Sequence, residues 1–338
     1  MRETKRWNMK TDSNAIMEAA ALLKQGKTVA FPTETVYGLG ADATSQQAVS
    51  GIFQAKGRPE DNPLIAHVAT KEQLRKLVTS LPPLAETLID AFTPGPLTMI
   101  LPSNGTCAKN VTAGLSTIGV RIPDHPVAHE LLKTCGIPVA APSANISGKP
   151  SPTSADHVWA DLHGKIDGLV DGGPTGVGVE STVVDCTQEI PVVLRPGGIT
   201  KEQIEQITGT VMVDPALAGS ADRPKAPGMK YTHYAPEVPM WLVEGSPEKI
   251  QAVINRAQNE HKRVGVMACN RTAENLQADR IISLGSDLRE IAANLYDALR
   301  EFKNGDTDLI LCETFPTENI GQAVMNRLEK AASDYIPE

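Results

Sequence analysis

The sequence has 338 residues, more than one hydrophobic core usually holds, so its length predicts two domains. Hydrophobic residues make up 41% of the chain and charged residues 21%, an ordinary composition for a globular protein that excludes extended disorder. The net charge of -8 argues against broad, non-specific binding of nucleic acid, which needs clustered Lys and Arg.

Cysteine usage and hydropathy predict a cytoplasmic protein. The five cysteines are odd in number and form no CxxC pair, which disfavours a disulfide framework and a thiolate zinc site and favours reduced thiols. The first residues contain no apolar signal region, and no run of about 18 apolar residues occurs anywhere. We therefore expect neither a signal peptide nor a membrane segment.

The first predicted elements are two helices with a strand between them. Asp12 or Ser13 can cap a helix that continues to Lys24, and the segment TVAFPT then has the composition of a strand. Thr44 and Gln47 form a capping-box pattern at the start of a second helix, which continues to Lys56 and ends at Gly57.

Short apolar strands then alternate irregularly with helices. Helical patterns cover residues 71–92, broken by LPP, and residues 126–134, where Asp124 is a candidate cap and Gly136 a candidate helix end. The strands are predicted at residues 63–69, 97–102, 117–123, 137–143, 168–173, 181–186 and 192–196. Because no strict βαβ rhythm occurs, we expect one mixed sheet flanked by helices over residues 1–205, and an α/β fold class.

The last part of the chain differs in composition and in the order of its predicted elements. Residues 206–238 are rich in proline and small residues, as linkers are. Near their end, however, the segment MKYTHYAP contains a lysine, a histidine and two tyrosines. Residues 239–338 contain four βα units, which predict a smaller, parallel, Rossmann-like sheet. No GxGxxG or Walker A motif occurs there.

Four cations have positions that suit an anion site. Lys56 and Arg58 follow a helix end, where their charges offset the macrodipole, or they clamp a polyphosphate together with Asn62. Arg121 and Arg195 lie in short apolar strands that run into Pro123 and Pro196, respectively. Such residues either face solvent or lie at strand ends that open into a cleft. In an acidic chain, four such cations together would form a local anion-binding site.

The neighbouring polar residues leave two interpretations open. His67 is either a histidine whose hydrogen bonds are made within the sheet or a group that binds a polar ligand. Ser143, Asn145 and Ser181 are either turn residues or hydrogen-bonding groups for a nucleotide. The sequence shows no nucleophile paired with a base and no cluster with metal-ligand spacing. Cations and hydroxyls without a nucleophile favour phosphoryl or nucleotidyl transfer, with Mg²⁺ arriving on the nucleotide.

Several segments together resemble the YrdC-type threonylcarbamoyl-AMP synthases in order and spacing. Lys56 and Arg58 match that family's KxR signature, and Ser143 and Asn145 match its SxN signature. The segments APGMKYTHYAP and GQAVMNRLEKAAS are similar to the long, two-domain form. The segments that carry the resemblance in the first domain are PTETVYGLGADA, KGRPEDNPLIAHV, PGPLTMIL, TIGVRIPDHPVA, PVAAPSANISGKPSPT, VESTVVD and VLRPGGI.

The resemblance implies a fold, a reaction and a set of site residues. The implied fold is a twisted mixed sheet that encloses a positive cavity, and the implied products are L-threonylcarbamoyl-AMP and pyrophosphate, made from L-threonine, bicarbonate or CO₂, and ATP with Mg²⁺. By position, the threonine-binding set is Thr35, His67, Arg121, Ala141 and Ser181. The ATP-binding set is Arg58, Asn62, Thr117, Ser143, Ser151, Arg195 and Tyr234, and the catalytic signature is Lys56, Arg58, Ser143 and Asn145.

The resemblance also implies partners and leaves alternatives. A downstream threonylcarbamoyl-transferase complex would pass the group to the adenosine beside the anticodon of ANN-decoding tRNAs, and a weak tRNA contact by this chain is compatible with the fold. The alternatives are carbamoyl adenylation, as in hydrogenase-maturation relatives, and a non-catalytic RNA-binding module. Tyr231, His233 and Tyr234 suggest that the linker covers the ATP site as a lid.

Overall fold

Eleven strands form one mixed sheet in the first part of the computed structural model, which describes residues 3–218 and 233–337. The strand order across the sheet is β1-β8-β2-β3-β7-β4-β6-β5-β9-β10-β11. Parallel and antiparallel pairs are interspersed, so the predicted mixed sheet is confirmed. The strands are β1 Lys5–Asn8, β2 Val29–Phe31, β3 Gly38–Asp42, β4 Ile65–His67, β5 Leu97–Pro102, β6 Thr117–Arg121, β7 Val139–Ala140, β8 Gly168–Asp171, β9 Thr182–Asp185, β10 Val192–Arg195 and β11 Met212–Val213.

Helices cover both faces of this sheet. Successive residues of a strand point to opposite faces, and in β2 the side chain of Ala30 joins one apolar cluster while Val29 and Phe31 join the other. Apolar positions of the first and sixth helices pack into the cluster that contains Phe31. The helices are α1 Ala15–Lys24, α2 Gln46–Lys56, α3 Lys71–Arg75, α4 Pro83–Phe92, α5 Lys109–Thr112, α6 Pro126–Cys135, α7 Ala155–Leu162 and α8 Lys201–Thr208.

The predicted helix ends are confirmed, and the predicted caps are wrong. Gly57 and Gly136 end α2 and α6 in the left-handed conformation, with φ of 62° and 68°. The N-cap of α2 is Ser45, whose hydroxyl accepts from the backbone N–H of Ala48, because Thr44 bonds to Asp42 instead. The N-cap of α6 is His125 and not Asp124, since the imidazole Nδ1 accepts from Val127 N.

The first helix also begins later than predicted. Its N-cap is Asn14, not Asp12 or Ser13, and no side chain caps the helix. Asp12 accepts a hydrogen bond from the backbone of Asn8, which belongs to the unpredicted strand β1. Pairing with β8 forms β1, so its existence depends on residues far away in the sequence.

The C-terminal part forms a separate parallel sheet, as predicted. Its strand order is β14-β13-β15-β12-β16, and all its pairs are parallel. The last strand, β16, lies beyond the four predicted βα units. The elements are β12 Met240–Val243, α9 Pro247–Asn259, β13 Val264–Ala268, α10 Asn270–Ala273, β14 Arg280–Ser283, α11 Leu288–Glu301, β15 Leu309–Glu313, α12 Gly321–Ala331 and β16 Asp334–Ile336.

The described residues divide into two compact units. The second unit contains residues 148–150 and 177–179 in addition to the described residues from 233 onward, and the first contains the other described residues. The domain boundaries at 205 and 238 stay a prediction. Residues 219–232 of the predicted linker, with Tyr231, lie outside the described residues.

Replacing Ser45 by alanine should destabilise the protein by about 1 kcal/mol, because the first turn of α2 loses its side-chain cap. Thr44→Ala is the matched control and should cost less than about 0.5 kcal/mol, since Thr44 is exposed and its hydroxyl bonds to half-buried Asp42. Urea unfolding followed by circular dichroism measures both. Equal effects of the two variants would contradict the assignment of Ser45 as the cap.

Candidate active site

The Lys56 side chain joins the two predicted signature motifs. It lies at the end of α2 and is 2% exposed. Its ammonium donates to the carbonyl oxygens of Ser143 and Asn145, both at 2.5 Å, and lies 3.5 Å from Asn145 Oδ1. The Ser143 hydroxyl donates to the same Oδ1 at 2.6 Å. Lys56 therefore contacts both backbone and side-chain atoms of the loop that follows β7, at Ser143 and Asn145. This loop is called the SxN loop below.

Arg58, Asn62 and Thr117 lie near the first residues of β4 and β6. The Arg58 guanidinium donates to the carbonyl oxygens of Asn62 and Pro63, at 3.4 and 3.2 Å, just before β4 begins. Thr117 is the first residue of β6, which pairs in parallel with β4. Asn62 is buried, and its Oδ1 has no hydrogen-bond partner among the described residues. These residues therefore form a polar group at one end of the two strands.

A single row of the sheet carries polar side chains at the other end of these strands. The register pairs His67 of β4 with Arg121 of β6, and Arg121 with Thr98 of β5. Adjacent strands lie about 4.8 Å apart, and directly paired residues project to the same face. All three side chains are buried. The sheet thus brings together two predicted threonine-binding residues that are far apart in sequence.

Arg121 is held by acceptors from two segments. Its Nε donates to the carbonyl oxygen of Gly95 at 3.3 Å, and one terminal nitrogen donates to Thr35 Oγ1 at 3.0 Å. The other terminal nitrogen forms an ion pair with Glu34 Oε1 at 2.6 Å. The segment after β2 therefore wraps around the guanidinium, with Thr35 and Glu34 in contact with it.

His67 is uncharged at neutral pH. Burial, reinforced by the nearby charge of Arg121, lowers the pKa of His67 from 6.5 to about 3. Its Nδ1 lies 3.1 Å from the carbonyl oxygen of Ile65. A neutral imidazole in this row can form directional hydrogen bonds without adding charge beside Arg121.

Ser181 is braced by Arg195. The Arg195 guanidinium donates to the Ser181 carbonyl oxygen at 2.9 Å and to its hydroxyl oxygen at 3.2 Å, and the Ser181 hydroxyl lies 2.8 Å from Thr98 Oγ1. A Cβ on Gly197 would lie only 2.3 Å from the Glu180 carbonyl oxygen, so glycine permits this close approach of the two backbones. The Ser181 hydroxyl is thereby linked to the row of His67 and Arg121.

Ala141 and Ser151 complete the part of the predicted set that lies in the first unit. Ala141 directly follows β7 and is buried, and its backbone N–H donates to the carbonyl oxygen of Ile65 at 2.9 Å. The Ser151 hydroxyl donates to the buried carboxylate of Glu180 at 2.5 Å.

Tyr234 belongs to the second unit, unlike the other predicted ATP-binding residues. Its φ is 66°, its ring lies 5.4 Å from the ring of Tyr296, and the Arg327 guanidinium lies 5.8 Å from it. The described position of Tyr234 thus depends on contacts within that unit, and its role towards ATP stays a prediction.

The candidate site contains three residues that the sequence did not predict. Glu34, Thr98 and Glu180 contact Arg121, Ser181 and Ser151, respectively. Glu34 and Glu180 lie in the segments PTETVYG and VEST, directly before Thr35 and Ser181. This adjacency is the sequence feature that could have predicted them as site residues.

Residues 3–218 and 233–337 contain neither a metal-binding cluster nor a membrane-spanning helix. No cluster of three or more His, Cys, Asp or Glu side chains in these ranges could hold a metal ion. No helix within them has the length and apolar character to cross a bilayer. All five cysteines are free.

Known proteins resemble both parts of the chain. A family model for Sua5, YciO and YrdC, described as telomere recombination, matches residues 21–197, and one described as the threonylcarbamoyl-AMP synthase C-terminal domain matches residues 199–333. Curated threonylcarbamoyl-AMP synthases from Bacillus subtilis and Pyrococcus abyssi are 52% and 50% identical, over 99% and 94% of both chains, respectively.

Solved structures extend the similarity to three dimensions. P. abyssi Sua5 complexed with L-threonine has a TM-score of 0.94 at 46% identity, with 99% of both chains covered. E. coli YciO, at 24% identity and a TM-score of 0.53, covers 58% of this chain and 96% of its own and shares the fold.

His67 should make the protein less stable in acid. The unfolded chain binds a proton near pH 6.5 and the folded protein only near pH 3, so stability is lost as pH falls through this window and is unaffected above it. From pH 7.5 to 5, wild type should lose about 2 kcal/mol more than His67→Gln in urea unfolding. Equal losses would contradict a neutral, buried His67.

Proposed function

The chain belongs to the two-domain Sua5/YrdC family of threonylcarbamoyl-AMP synthases, and from that premise we propose that it makes L-threonylcarbamoyl-AMP and pyrophosphate from L-threonine, bicarbonate or CO₂, and ATP. Family membership makes it an enzyme of the nucleotidyltransferase type. One observation carries the proposal: the buried Arg121 and the cluster around Arg58 lie at opposite ends of the same two strands.

Arg121 is the group best suited to bind the threonine carboxylate. A planar guanidinium matches a carboxylate geometrically, and burial strengthens the interaction because little water competes. The solved structure of P. abyssi Sua5 contains L-threonine, which makes threonine the substrate to test first in this chain. His67, Thr35, Ser181 and the backbone at Ala141 would then surround the remaining atoms of the amino acid.

Arg58 and Arg195 would offset the charge of the ATP phosphates, with Asn62, Thr117, Ser143, Ser151 and Tyr234 as further nucleotide contacts. The substrate would be MgATP, so the metal enters on the phosphates. Lys56 would act mainly through the SxN loop, because its ammonium already contacts two carbonyl oxygens and the side chain of Asn145. The Ser143 hydroxyl and the Asn145 amide would thereby be held in place.

The proposed reaction needs positioning and no covalent enzyme intermediate. Once the threonine ammonium has lost a proton, the amine nitrogen attacks CO₂ and releases a second proton to give a carbamate. A carbamate oxygen then attacks the α-phosphorus of ATP as the bond to pyrophosphate breaks. Donors fixed in advance around the developing charges lower the barrier because they need no reorganisation. The buried cations and their backbone acceptors supply such a fixed environment.

The product is a mixed anhydride that hydrolyses unless it is consumed. We propose that a downstream transferase complex passes the threonylcarbamoyl group to the adenosine beside the anticodon of ANN-decoding tRNAs, in the cytoplasm. The five free cysteines fit a reducing compartment.

Pyrophosphate release in the presence of ATP, bicarbonate and L-threonine tests the proposed reaction. Arg58→Ala should reduce release by about 100-fold or more, since a charge-matched donor to the phosphates is lost. Arg75→Ala is the control, because this arginine is exposed on α3 and pairs only with exposed Glu86. Wild-type activity of Arg58→Ala would contradict the assigned role.

The same assay separates the alternative functions. Carbamoyl phosphate in place of bicarbonate and threonine should give no pyrophosphate, whereas a carbamoyl-adenylating enzyme would release it. A non-catalytic RNA-binding module would release none with either substrate. Release that does not depend on threonine would overturn the proposed function.

Lys56→Ala should lower stability as well as activity. The substitution leaves the carbonyl oxygens of Ser143 and Asn145 without their charged donor, at a cost of about 1–3 kcal/mol. Thermal unfolding and pyrophosphate release measure the two effects. Lost activity with unchanged stability would instead indicate that Lys56 acts directly on the substrate.

A further inference from the structure

Glu34 holds the guanidinium that is proposed to bind the substrate carboxylate. Its Oε1 lies 2.6 Å from a terminal nitrogen of Arg121, and the two side chains are 14% and 5% exposed, respectively. A buried cation needs a nearby acceptor, so Glu34 stabilises Arg121. It does not consume the guanidinium, which has more N–H groups than its contacts with Glu34, Thr35 and Gly95 use.

The second oxygen of Glu34 has no hydrogen-bond partner within residues 3–218 and 233–337. Oε2 is buried, and it accepts no hydrogen bond from the described residues. Buried carboxylate oxygens normally accept a hydrogen bond, so we expect a bound ligand to supply a donor to this atom. Because both oxygens belong to one carboxylate, Oε2 lies within the width of that group from the atom that touches Arg121.

Thr35 offers a further acceptor beside Glu34. The Thr33 hydroxyl donates to the Val36 carbonyl oxygen at 2.6 Å, and it lies 2.9 Å from Thr35 Oγ1. Since a hydroxyl has a single hydrogen, the Thr35 hydroxyl donates to Thr33, and its lone pairs face donors such as Arg121. The immediate surroundings of the guanidinium therefore contain acceptors as well as unused donors.

We propose that Glu34 recognises the α-ammonium group of the amino-acid substrate, with Oε2 as the acceptor, while Arg121 binds its carboxylate. The inference rests on the proposed function and names a specificity residue for it. An α-amino acid carries its two charges on one carbon, so its receptor needs a cation and a carboxylate side by side. The Arg121 and Glu34 pair has this arrangement, and Glu34 therefore selects amino acids over carboxylic acids that lack the amine.

The test compares two ligands that differ at one group. L-Threonine and 2,3-dihydroxybutanoate share the carboxylate and the side chain, but the second has a hydroxyl in place of the ammonium. Calorimetric titration should show that wild type prefers L-threonine. In Glu34→Gln, L-threonine should bind about 10- to 100-fold more weakly, as expected for a lost hydrogen bond between charged groups. Binding of 2,3-dihydroxybutanoate should stay the same or become tighter, because the variant removes a negative charge beside the ligand carboxylate and keeps an acceptor oxygen for Arg121.

A purely structural role of Glu34 gives a different result. If Glu34 only held Arg121 in position, Glu34→Gln would weaken both ligands in parallel, and that outcome would overturn the inference. Unchanged threonine binding would overturn it as well. Glu130→Gln on α6 is the matched control, since Glu130 is exposed, and it should bind both ligands like wild type.

Two further measurements keep the inference falsifiable. Glu34→Asp keeps the charge but shortens the side chain, so it should weaken threonine selectively even if Glu34→Gln does not fold. In the pyrophosphate assay, Glu34→Gln should raise the KM for threonine and leave the KM for ATP unchanged. Threonine-dependent release by wild type with an unchanged KM in Glu34→Gln would sink this inference alone. No threonine-dependent release by wild type would sink the proposed function.

Discussion

Buried positive charge is the constraint that organises the first unit. Lys56, Arg58, Arg121 and Arg195 are all at most 9% exposed, and a cation removed from water is stable only when oxygen atoms surround it. Each one is met by loop carbonyls or side-chain oxygens: the SxN loop at Lys56, the segment before β4 at Arg58, the segment after β2 at Arg121, and Ser181 at Arg195. The loops of the site are therefore held in place by the cations.

This constraint also explains how the sheet serves the chemistry. The register aligns His67, Arg121 and Thr98 in one row, and Thr98 leads through Ser181 to Arg195. A site built on paired strands keeps its hydrogen-bond donors in fixed positions. The neutral His67 adds a polar group to this row without repelling the cations.

The second unit has a parallel sheet, and a carboxylate of the chain itself lies at two of its strand ends. Ligands of such sheets usually bind beyond the carboxyl ends of neighbouring strands. At the ends of β13 and β15, the carboxylate of Glu313 accepts from the backbone N–H of Cys269 at 2.8 Å and from the Thr272 hydroxyl at 2.7 Å. The chain's own carboxylate thus satisfies donors that a phosphate would contact elsewhere, in line with the missing glycine-rich motif.

The sequence by itself determined the class of the fold, the left-handed helix ends at Gly57 and Gly136, and the family, because local composition and motif spacing carry this information. It also singled out Lys56, Arg58, Arg121 and Arg195, and the structure shows all four to be buried. Tertiary structure alone decided that Ser45 caps α2, that β1 pairs with β8, and that Glu34 meets Arg121 across 87 positions of the chain. These features depend on which oxygen or strand edge lies nearest in space, and such distances follow from the packing of the whole sheet.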